Sequence, residues 1–384
     1  MKFFRKVLCL TAALMVCVSG CGAEGAFQAE DGGLDLTETI RIHYPVLSGS
    51  GDGDLLKQVN ALVQERFRIG AWLTRAASLI SGGSLRTEWK GGVLGDVFSG
   101  AVSVSGMAED TRDTHLWTAV SVDLRDGREI VFDDLFTDAE AAREKIGTYL
   151  EENVAPELSA HLQNSSLTPL PDLFLLERTG LTLLYPVSQL STLSDRAGDI
   201  RVGWNIVRDE LDLGDDSIPS RIGLRDAAFL TVSGAAQLKA DAAEGFLTDI
   251  PARIGDNMKV LTDRYHTLTD WDGIEDGRLF ALEGGCFRGV YLVTDNLTSG
   301  WDNSPVQGIR MDQGCLWGLC PGETSRPEWL ETLGEPDGSA EISEEKAEAS
   351  RLTPGNCDYY RCGEYLLQLY SDADGTLVSV MLTE

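Results

Sequence analysis

Between Ser99 and Phe136 the chain alternates apolar with small or polar residues twice over, and that period of two fixes more about the fold than any other stretch. Gly100-Ala-Val-Ser-Val-Ser-Gly-Met and His115-Leu-Trp-Thr-Ala-Val-Ser-Val-Asp-Leu each place every second side chain on one face, as a half-buried strand does. Arg125-Asp126-Gly127-Arg128 follows, and an Asp-Gly step accepts the positive φ of a tight turn. Glu129-Ile-Val-Phe then returns antiparallel, ending at Asp133-Asp134, whose short carboxylates suit the end of a strand or the start of a turn or helix. The expectation is an antiparallel meander with one apolar face.

Flanking stretches supply helices for that face. Leu55, Leu56, Val59, Leu62, Val63 and Phe67 recur at spacings of three and four, which predicts a helix with Asp54 as its N-cap. Gly82-Gly83 to Gly95, with Gly91-Gly92 inside it, is expected to be a loop entering the meander. Ala142, Ile146, Leu150, Val154 and Leu158 predict a second helix from about Asp138 to Leu162, kinked or restarted at Pro156.

Five stretches in this region also resemble a known family. The "Ser-Val" strand with its Asp-Leu-(x)-(x)-Gly turn and Asp133-Asp134-Leu-Phe resembles the extracellular domain of RsiV-type anti-sigma factors, which is also the accessory domain of PdaC-type peptidoglycan deacetylases. Ile40-Arg-Ile-His-Tyr-Pro, Leu56-Lys-Gln-Val-Asn-Ala-Leu-Val, Phe174-Leu-Leu-Glu-Arg-Thr-Gly-Leu-Thr-Leu-Leu-Tyr-Pro and Ile200-Arg-Val-Gly-Trp-Asn-Ile-Val-Arg-Asp-Glu-Leu match its pieces in the same order. The resemblance covers residues 37 to 213 and implies envelope binding, of peptidoglycan or of a cationic protein such as lysozyme.

The N-terminus predicts the compartment. Lys2, Arg5 and Lys6 precede an apolar run from Val7 to Val18, and Val18-Ser19-Gly20-Cys21 forms a lipoprotein cleavage site. The run is shorter than the about 20 residues that span a bilayer. Residues 1–20 are thus expected to be a signal peptide, and acylated Cys21 an anchor to the outer face of the bacterial cytoplasmic membrane. Small and acidic residues suggest a flexible tether over 21–36. The rest is long enough for two domains, 37–213 and 214–384, with a turn-rich boundary at Asp215–Ser220.

The chain carries 61 acidic against 32 basic residues, a net charge of −29. That balance excludes nucleic acid and anionic lipid headgroups as natural partners, because both are bound through Lys and Arg. A basic partner fits it, and so does a merely well-solvated surface.

Leu224–Ala243 is rich in Ala and reads equally as strand or helix. Beyond it the chain contains a duplication. Leu279-Phe-Ala-Leu to Val306-Gln-Gly-Ile-Arg-Met parallels Tyr359-Tyr-Arg-Cys to Leu377-Val-Ser-Val-Met-Leu, which predicts two α+β half-units sharing a sheet. Pro327-Glu-Trp-Leu-Glu-Thr-Leu-Gly-Glu-Pro before the second copy is a helix ended by Gly and Pro. Helix, "Leu-Gly-(x)-Pro" and strands together are similar to the tandem repeats of beta-lactamase-inhibitor-protein-like domains. The acidic stretch Ser339–Ser350 is expected to be an inserted helix or loop.

Beyond Cys21, the cysteines are Cys286, Cys315, Cys320, Cys357 and Cys362, all in 214–384. Outside the cytoplasm they favour disulfides, with local and cross-copy pairs both open. Reduced thiols remain an alternative, and the two Cys-x4-Cys spacings also permit a four-thiolate zinc site. His43, His115, His161 and His266 are isolated, without the metal-binding cluster a deacetylase needs. Gly-x-Ser-x-Gly is absent, so no nucleophile stands out. Asp133 and Asp134 are adjacent, which suits a turn better than shared acid–base work. Asp372-Ala-Asp374-Gly375 begins like a calcium loop but has Thr at position 383, and reads as a hairpin turn. Trp72, Trp89, Trp117, Trp204 and Tyr185 could stack on sugars or fill a core.

These features predict an α+β, non-catalytic, lipid-anchored envelope protein without cofactor or metal, binding a cell-wall glycan or a cationic protein. The alternative is an envelope enzyme or enzyme inhibitor with its site in the C-terminal domain.

Overall fold

Period-two patterning wins over glycine content in the first half of the chain. In a computed structural model describing residues 27–50, 52–107, 116–158, 162, 166–186, 188–190, 198–265, 272–275, 277–282, 287–295 and 304–384, the chain is an α+β protein. Its first elements are β1 (Phe27–Asp31), β2 (Leu34–Asp35), β3 (Ile40–Ile42), β4 (Pro45–Gly49), α1 (Gly53–Arg66) and α2 (Ile69–Leu79). They continue with β5 (Ser84–Leu94), β6 (Val97–Met107), β7 (Leu116–Asp123), α3 (Ala139–Tyr149), β8 (Phe174–Leu176), β9 (Gly180–Leu184) and β10 (Asp199–Gly203). The signal peptide, Cys21, His115, His161, His266 and Cys286 lie outside the described residues.

Strands β2-β3-β5-β6-β7 form a sheet, antiparallel except for the parallel β3–β5 pair, and β1 pairs β4 beside it. Helices α1 and α2 cover one face. Val59, Val63, Phe67, Ala76 and Leu79 close a cluster with Ile42, Leu85, Val102, Val104, Val120 and Val122. Asp52, two residues before the expected Asp54, caps α1 by accepting from the Asp54 N–H at 2.8 Å.

Two expectations fail here for one reason. The tether over 21–36 gives way to strand from Phe27, and the loop over 82–95 is the eleven-residue β5. Glycine in both places permits close approach and not mobility. A Cβ on Gly33 would lie 2.2 Å from His43 Nδ1, and one on Gly91, at φ +113°, 2.2 Å from the Ser99 carbonyl oxygen.

The second face of this sheet carries the antiparallel β10-β9-β8 sheet. Ala101 packs on Leu175 and Leu184, and the buried Ser99 hydroxyl bonds Ser121 Oγ and accepts from Leu176 N–H, both at 2.8 Å. The returning Glu129 stretch makes one bridge, to Val122, before a 3-10 turn at Phe132–Leu135. Helix α3, capped by Asp138, stops at Tyr149 instead of running to Leu162. The wider turn Leu150–Val154 follows, with Ala155 N–H bonded five residues back to Leu150. Pro156 has no N–H and crowds the carbonyl four residues before it, so α-helical bonding cannot continue.

The remaining elements are α4 (Ile218–Arg221), α5 (Leu224–Ala228), α6 (Val232–Ala243), α7 (Met258–Tyr265), β11 (Asp272–Ile274), β12 (Gly277–Ala281), β13 (Val290–Thr294) and β14 (Gly308–Met311). After them come α8 (Arg326–Leu333), β15 (Gly338–Ile342), α9 (Glu344–Ser350), β16 (Gly355–Cys362), β17 (Tyr365–Asp372) and β18 (Leu377–Thr383). The ambiguous Ala-rich stretch is therefore helical, with Thr231 Oγ1 capping α6 through Gly234 N–H at 3.0 Å.

Strands β11-β12-β13-β14-β18-β17-β16-β15 make one sheet. Each half runs helix, edge strand, three-stranded meander, and the last strands, β14 and β18, pair antiparallel at the centre. Helix α9 is the extra element of the second half. Its interior neighbour is anchored by a buried carboxylate: Asp358, 1% exposed, accepts from Arg326 at 2.8 and 3.0 Å, Trp329 Nε1 at 3.2 Å and Ser339 at 2.6 Å.

Apolar packing does not stop at residue 213. One continuous buried cluster joins Leu135, Ile146, Leu183, Trp204 and Val207 to Leu238, Ile309, Trp329 and Leu382. The turn-rich segment at 215–220 is itself clamped. Arg221 reaches Asp123 at 2.6 and 3.1 Å and Asp96 at 3.1 Å, while Arg125 pairs with Asp216 and Asp96.

Candidate functional site

The cysteines of the second half divide by backbone geometry. Leu316-Trp317-Gly318-Leu319 makes a tight turn with positive φ at Trp317 and Gly318, and Leu316 and Leu319 bond each other's main chain. That turn brings Cys315 and Cys320 to a Cα separation of 4.3 Å, and they form a disulfide. Gly318 has no alternative, since a Cβ would lie 2.2 Å from Leu230 N. Cys357 and Cys362 are free and buried. They stand five residues apart on β16, so their side chains leave opposite faces and cannot pair. Their mutual bridge is thereby excluded, and so is the four-thiolate zinc arrangement. Burial pushes the Cys357 thiol up to about 11 and raises that of Cys362.

The disulfide turn sits where the β10 region meets the second half. Trp317 is buried and donates from Nε1 to Thr248 Oγ1 at 2.7 Å, and a Cβ on Gly203 would lie 3.5 Å from Cys315 Cβ. Nearby, Asp249 Oδ2 accepts from Arg201 Nη2 and from both the N–H and hydroxyl of Thr179, all at 2.8 Å. Thr182 donates to Glu177 at 2.7 Å, and Arg201 Nε stands 3.5 Å from the same oxygen. Burial, with the Asp249 charge, lifts the Glu177 carboxyl above its ordinary range against the pull of Arg201. These ions join the small sheet to the 247–253 segment and hold one another.

Beside this junction lies an open groove of about 670 Å³ between α3, the turn at Trp204–Val207 and Glu323. Half-buried Ala141 and the exposed Glu144, Lys145 and Thr148 of α3 form one wall. Glu144, Glu152, Asp209 and Glu323 line it against Lys145 and Arg208. Lys145 is held by Glu210 at 2.6 Å and Asp209 at 3.6 Å, and the Glu210 bond raises its pKa. Asn205 Nδ2 donates to Glu323 at 3.1 Å, and Arg208 lies 5.9 Å from the Phe229 ring. Such a wall attracts cationic side chains and provides carbonyl and amide partners through Asn153 and Asn205.

The aromatic candidates separate as well. Trp204 and Tyr185 are wholly buried, bonding Glu177 O and Leu167 O, so neither can meet a sugar. Trp72, Trp89 and Trp117 are half-buried. His43 binds Asp31 at 2.6 Å and Asp35 at 3.1 Å, tying β1 and β2 to β3. Asp133 accepts from Arg143 at 2.6 Å, while Asp134 accepts from Val131 N–H and Arg128, both at 2.8 Å, so the two serve a turn separately. Asp372 accepts the N–H groups of Asp374 and Thr376, the expected hairpin turn. Sequence spacing carried no signal for Glu177, Arg201 and Asp249, or for the groove, because they come from distant segments.

No protein-family model and no curated protein matches the chain. The structure is similar to a DUF3298 family protein from Bacteroides fragilis at 13% identity, over 51% of this chain and 96% of that one, with a TM-score of 0.36. A DUF3298 family protein from Pseudomonas aeruginosa gives 11%, 48%, 94% and 0.35, and a DUF4309 family protein from Bacillus subtilis 14%, 40%, 97% and 0.29. Likeness of this size assigns no ligand and does not by itself link the chain to lysozyme-binding anti-sigma factors. No described helix is long and apolar enough to cross a membrane.

Proposed function

We propose that the chain is a lipid-anchored extracytoplasmic protein that binds a basic envelope protein and carries out no reaction of its own. The observation that supports it best is the excess of 61 acidic over 32 basic residues, which raises the local concentration of a cationic partner and speeds its encounter. The lipoprotein-type leader with Cys21 supports the location, and the Cys315–Cys320 disulfide fits an oxidising compartment. A glycan platform is less well supplied, since Trp204 and Tyr185 are in the core.

Calorimetry of the chain from Cys21 onward against lysozyme, at low and at high salt, tests this. Saturable binding that weakens about tenfold or more between 50 and 300 mM salt is expected, because exposed charges are screened over a Debye length of about 10 Å. The double variant Glu144→Lys, Glu152→Lys should weaken it further. Retention on muropeptides with no heat from lysozyme would move the reading to a glycan, and release of sugar, peptide or acetate from peptidoglycan would replace it with catalysis.

A further inference from the structure

The second face of the five-stranded sheet is roofed only in part. The β10-β9-β8 sheet covers Ala101 and Ala119, and two further rows of that face run on past it. In the first, Glu88, Ser103 and Trp117 lie abreast on β5, β6 and β7, and in the second, Arg41, Arg86 and Ser105 lie abreast on β3, β5 and β6. Leu85, Val102 and Val104 between them point into the cluster under α1 and α2, so alternation turns these six outward. Arg41, Arg86 and Glu88 are exposed, and Ser103, Ser105 and Trp117 half-buried.

The two arginines call for an anion. Arg41 and Arg86 are paired positions on adjacent strands, and like charges directly opposite destabilise a sheet. Arg86 has no ion-pair or hydrogen-bond partner among the described residues. Arg41 Nε stands 4.0 Å from Asp35 Oδ1, an oxygen already bonded to His43 Nε2 at 3.1 Å. In a chain with 61 acidic residues, two neighbouring guanidinium groups without a close carboxylate are a local reversal of charge. A carboxylate laid across them removes the repulsion and gains charge-assisted bonds.

The rest of the two rows sets what carries that carboxylate. The Ser105 hydroxyl, beside Arg86, has no partner among the described residues, and Ser103 Oγ reaches only the Glu88 main-chain oxygen, at 3.4 Å. The Glu88 carboxylate is unpaired there as well; it repels a polyanion and accepts from hydroxyl groups. Trp117 ends its row where the small sheet begins, with Lys90 Nζ 5.1 Å from its ring centre, and its exposed part offers an apolar surface to the C–H groups of a sugar ring. Strands about 4.8 Å apart place Trp117 on β7 and Arg86 on β5 about 10 Å apart across the sheet, with the two serines between them.

We propose that this open sheet face binds a sugar acid, a hydroxyl-rich ring carrying one carboxylate. The carboxylate lies on Arg41 and Arg86, the hydroxyls on Glu88, Ser103 and Ser105, and the ring against Trp117. The face shares no residue with the acidic groove, and the reading stands whether or not a basic protein binds there.

Titration of the chain from Cys21 onward with sodium glucuronate, followed by the Trp117 indole N–H resonance, tests it. That resonance is identified by its loss in Trp117→Phe. A saturable shift is expected, with glucose, which lacks the carboxylate, at least tenfold weaker and inorganic phosphate unable to displace glucuronate at equal concentration. Arg41→Gln and Arg86→Gln should each weaken glucuronate binding at least tenfold without lowering the melting temperature, because each removes a repulsion; an arginine that merely holds structure would lower it. The comparison of glucuronate, glucose and phosphate on the unaltered chain needs no variant and decides if one fails to fold. An unmoved Trp117 resonance, glucose binding as tightly, displacement by equal phosphate, unchanged affinity in folded Arg86→Gln, or melting lowered by both arginine variants would each overturn the proposal.

Discussion

The outer layer of the molecule, Ile40 to Leu124 with α1 and α2, and the remainder are held together by different physics. The outer layer closes its own apolar cluster and meets the rest through a small apolar patch, Ala101 on Leu175 and Leu184 with Val97 reaching the common core, and through charges: Arg221 with Asp123 and Asp96, and Lys90 with Asp199 at 2.6 Å. From Leu135 to Leu382 the core is continuous, and the ions at its joints support packing that already exists. Burying apolar surface stabilises in proportion to area, whereas ion pairs hold orientation at small net gain. The outer layer should therefore be able to open as a unit, and the remainder should melt as one.

The sharpest test sets Phe67→Ala in the outer cluster against Asp358→Ala in the continuous core. The first should cost about 3–5 kcal/mol by leaving a cavity, and the second about 2–3 kcal/mol by stranding the buried Trp329 N–H, since Arg326 is 38% exposed and turns to water. Hydrogen exchange should show Phe67→Ala releasing amides of 40–124 only, and Asp358→Ala releasing those of 135–382 together. Identical patterns from both would erase the distinction.

Arg221→Ala attacks the joint. Asp123 is 7% exposed and keeps only the Arg125 N–H among its described partners, so a loss of about 2 kcal/mol is expected. Burial works against the Asp123 charge, but Arg221 and Arg125 hold its carboxyl below the usual range. That contribution is present above the unfolded carboxylate value and disappears as pH falls through the lowered folded one. Acid titration of stability should flatten in Arg221→Ala.

Cys315→Ala with Cys320→Ala should cost about 2 kcal/mol, the loop entropy of so short a ring, and loosen Trp317 and the groove edge at Glu323. Iodoacetamide at pH 8 should leave Cys357 and Cys362 unlabelled in the native chain, since burial holds both as neutral thiols.

The smallest effect belongs to His43. Burial lowers its affinity for a proton, and the bonds to Asp31 and Asp35 more than offset this, so its pKa is raised. A raised value means stability fully present below the unfolded histidine pKa and lost as pH rises through the folded one. For a side chain 33% exposed the gain is under about 1 kcal/mol. Protection of β1 and β2 amides, corrected for intrinsic exchange, should fall as pH climbs past neutrality, and His43→Asn should remove the trend.

Much of this was legible locally. The alternation at Gly100–Met107, the apolar stripe of α1 and the repeat of 279–311 in 359–382 each became the element their period required, because strand and helix periods are set by backbone geometry alone. Glycine misled at Gly33 and Gly91, where the contact that demands it comes from His43 or Ser99.

Residue pattern alone was enough for the strands at 100–107 and 116–123, for helix α1, for the strongly acidic charge and for the repeated α+β unit of the second half. That the core crosses residue 213, which cysteines bond, and where Glu177, Arg201 and Asp249 meet came from the packed fold alone. Periodicity reports how a residue sits relative to its own segment; burial, pKa and pairing depend on turn geometry and on neighbours brought in from other segments, as in the 48-residue separation of Arg201 and Asp249.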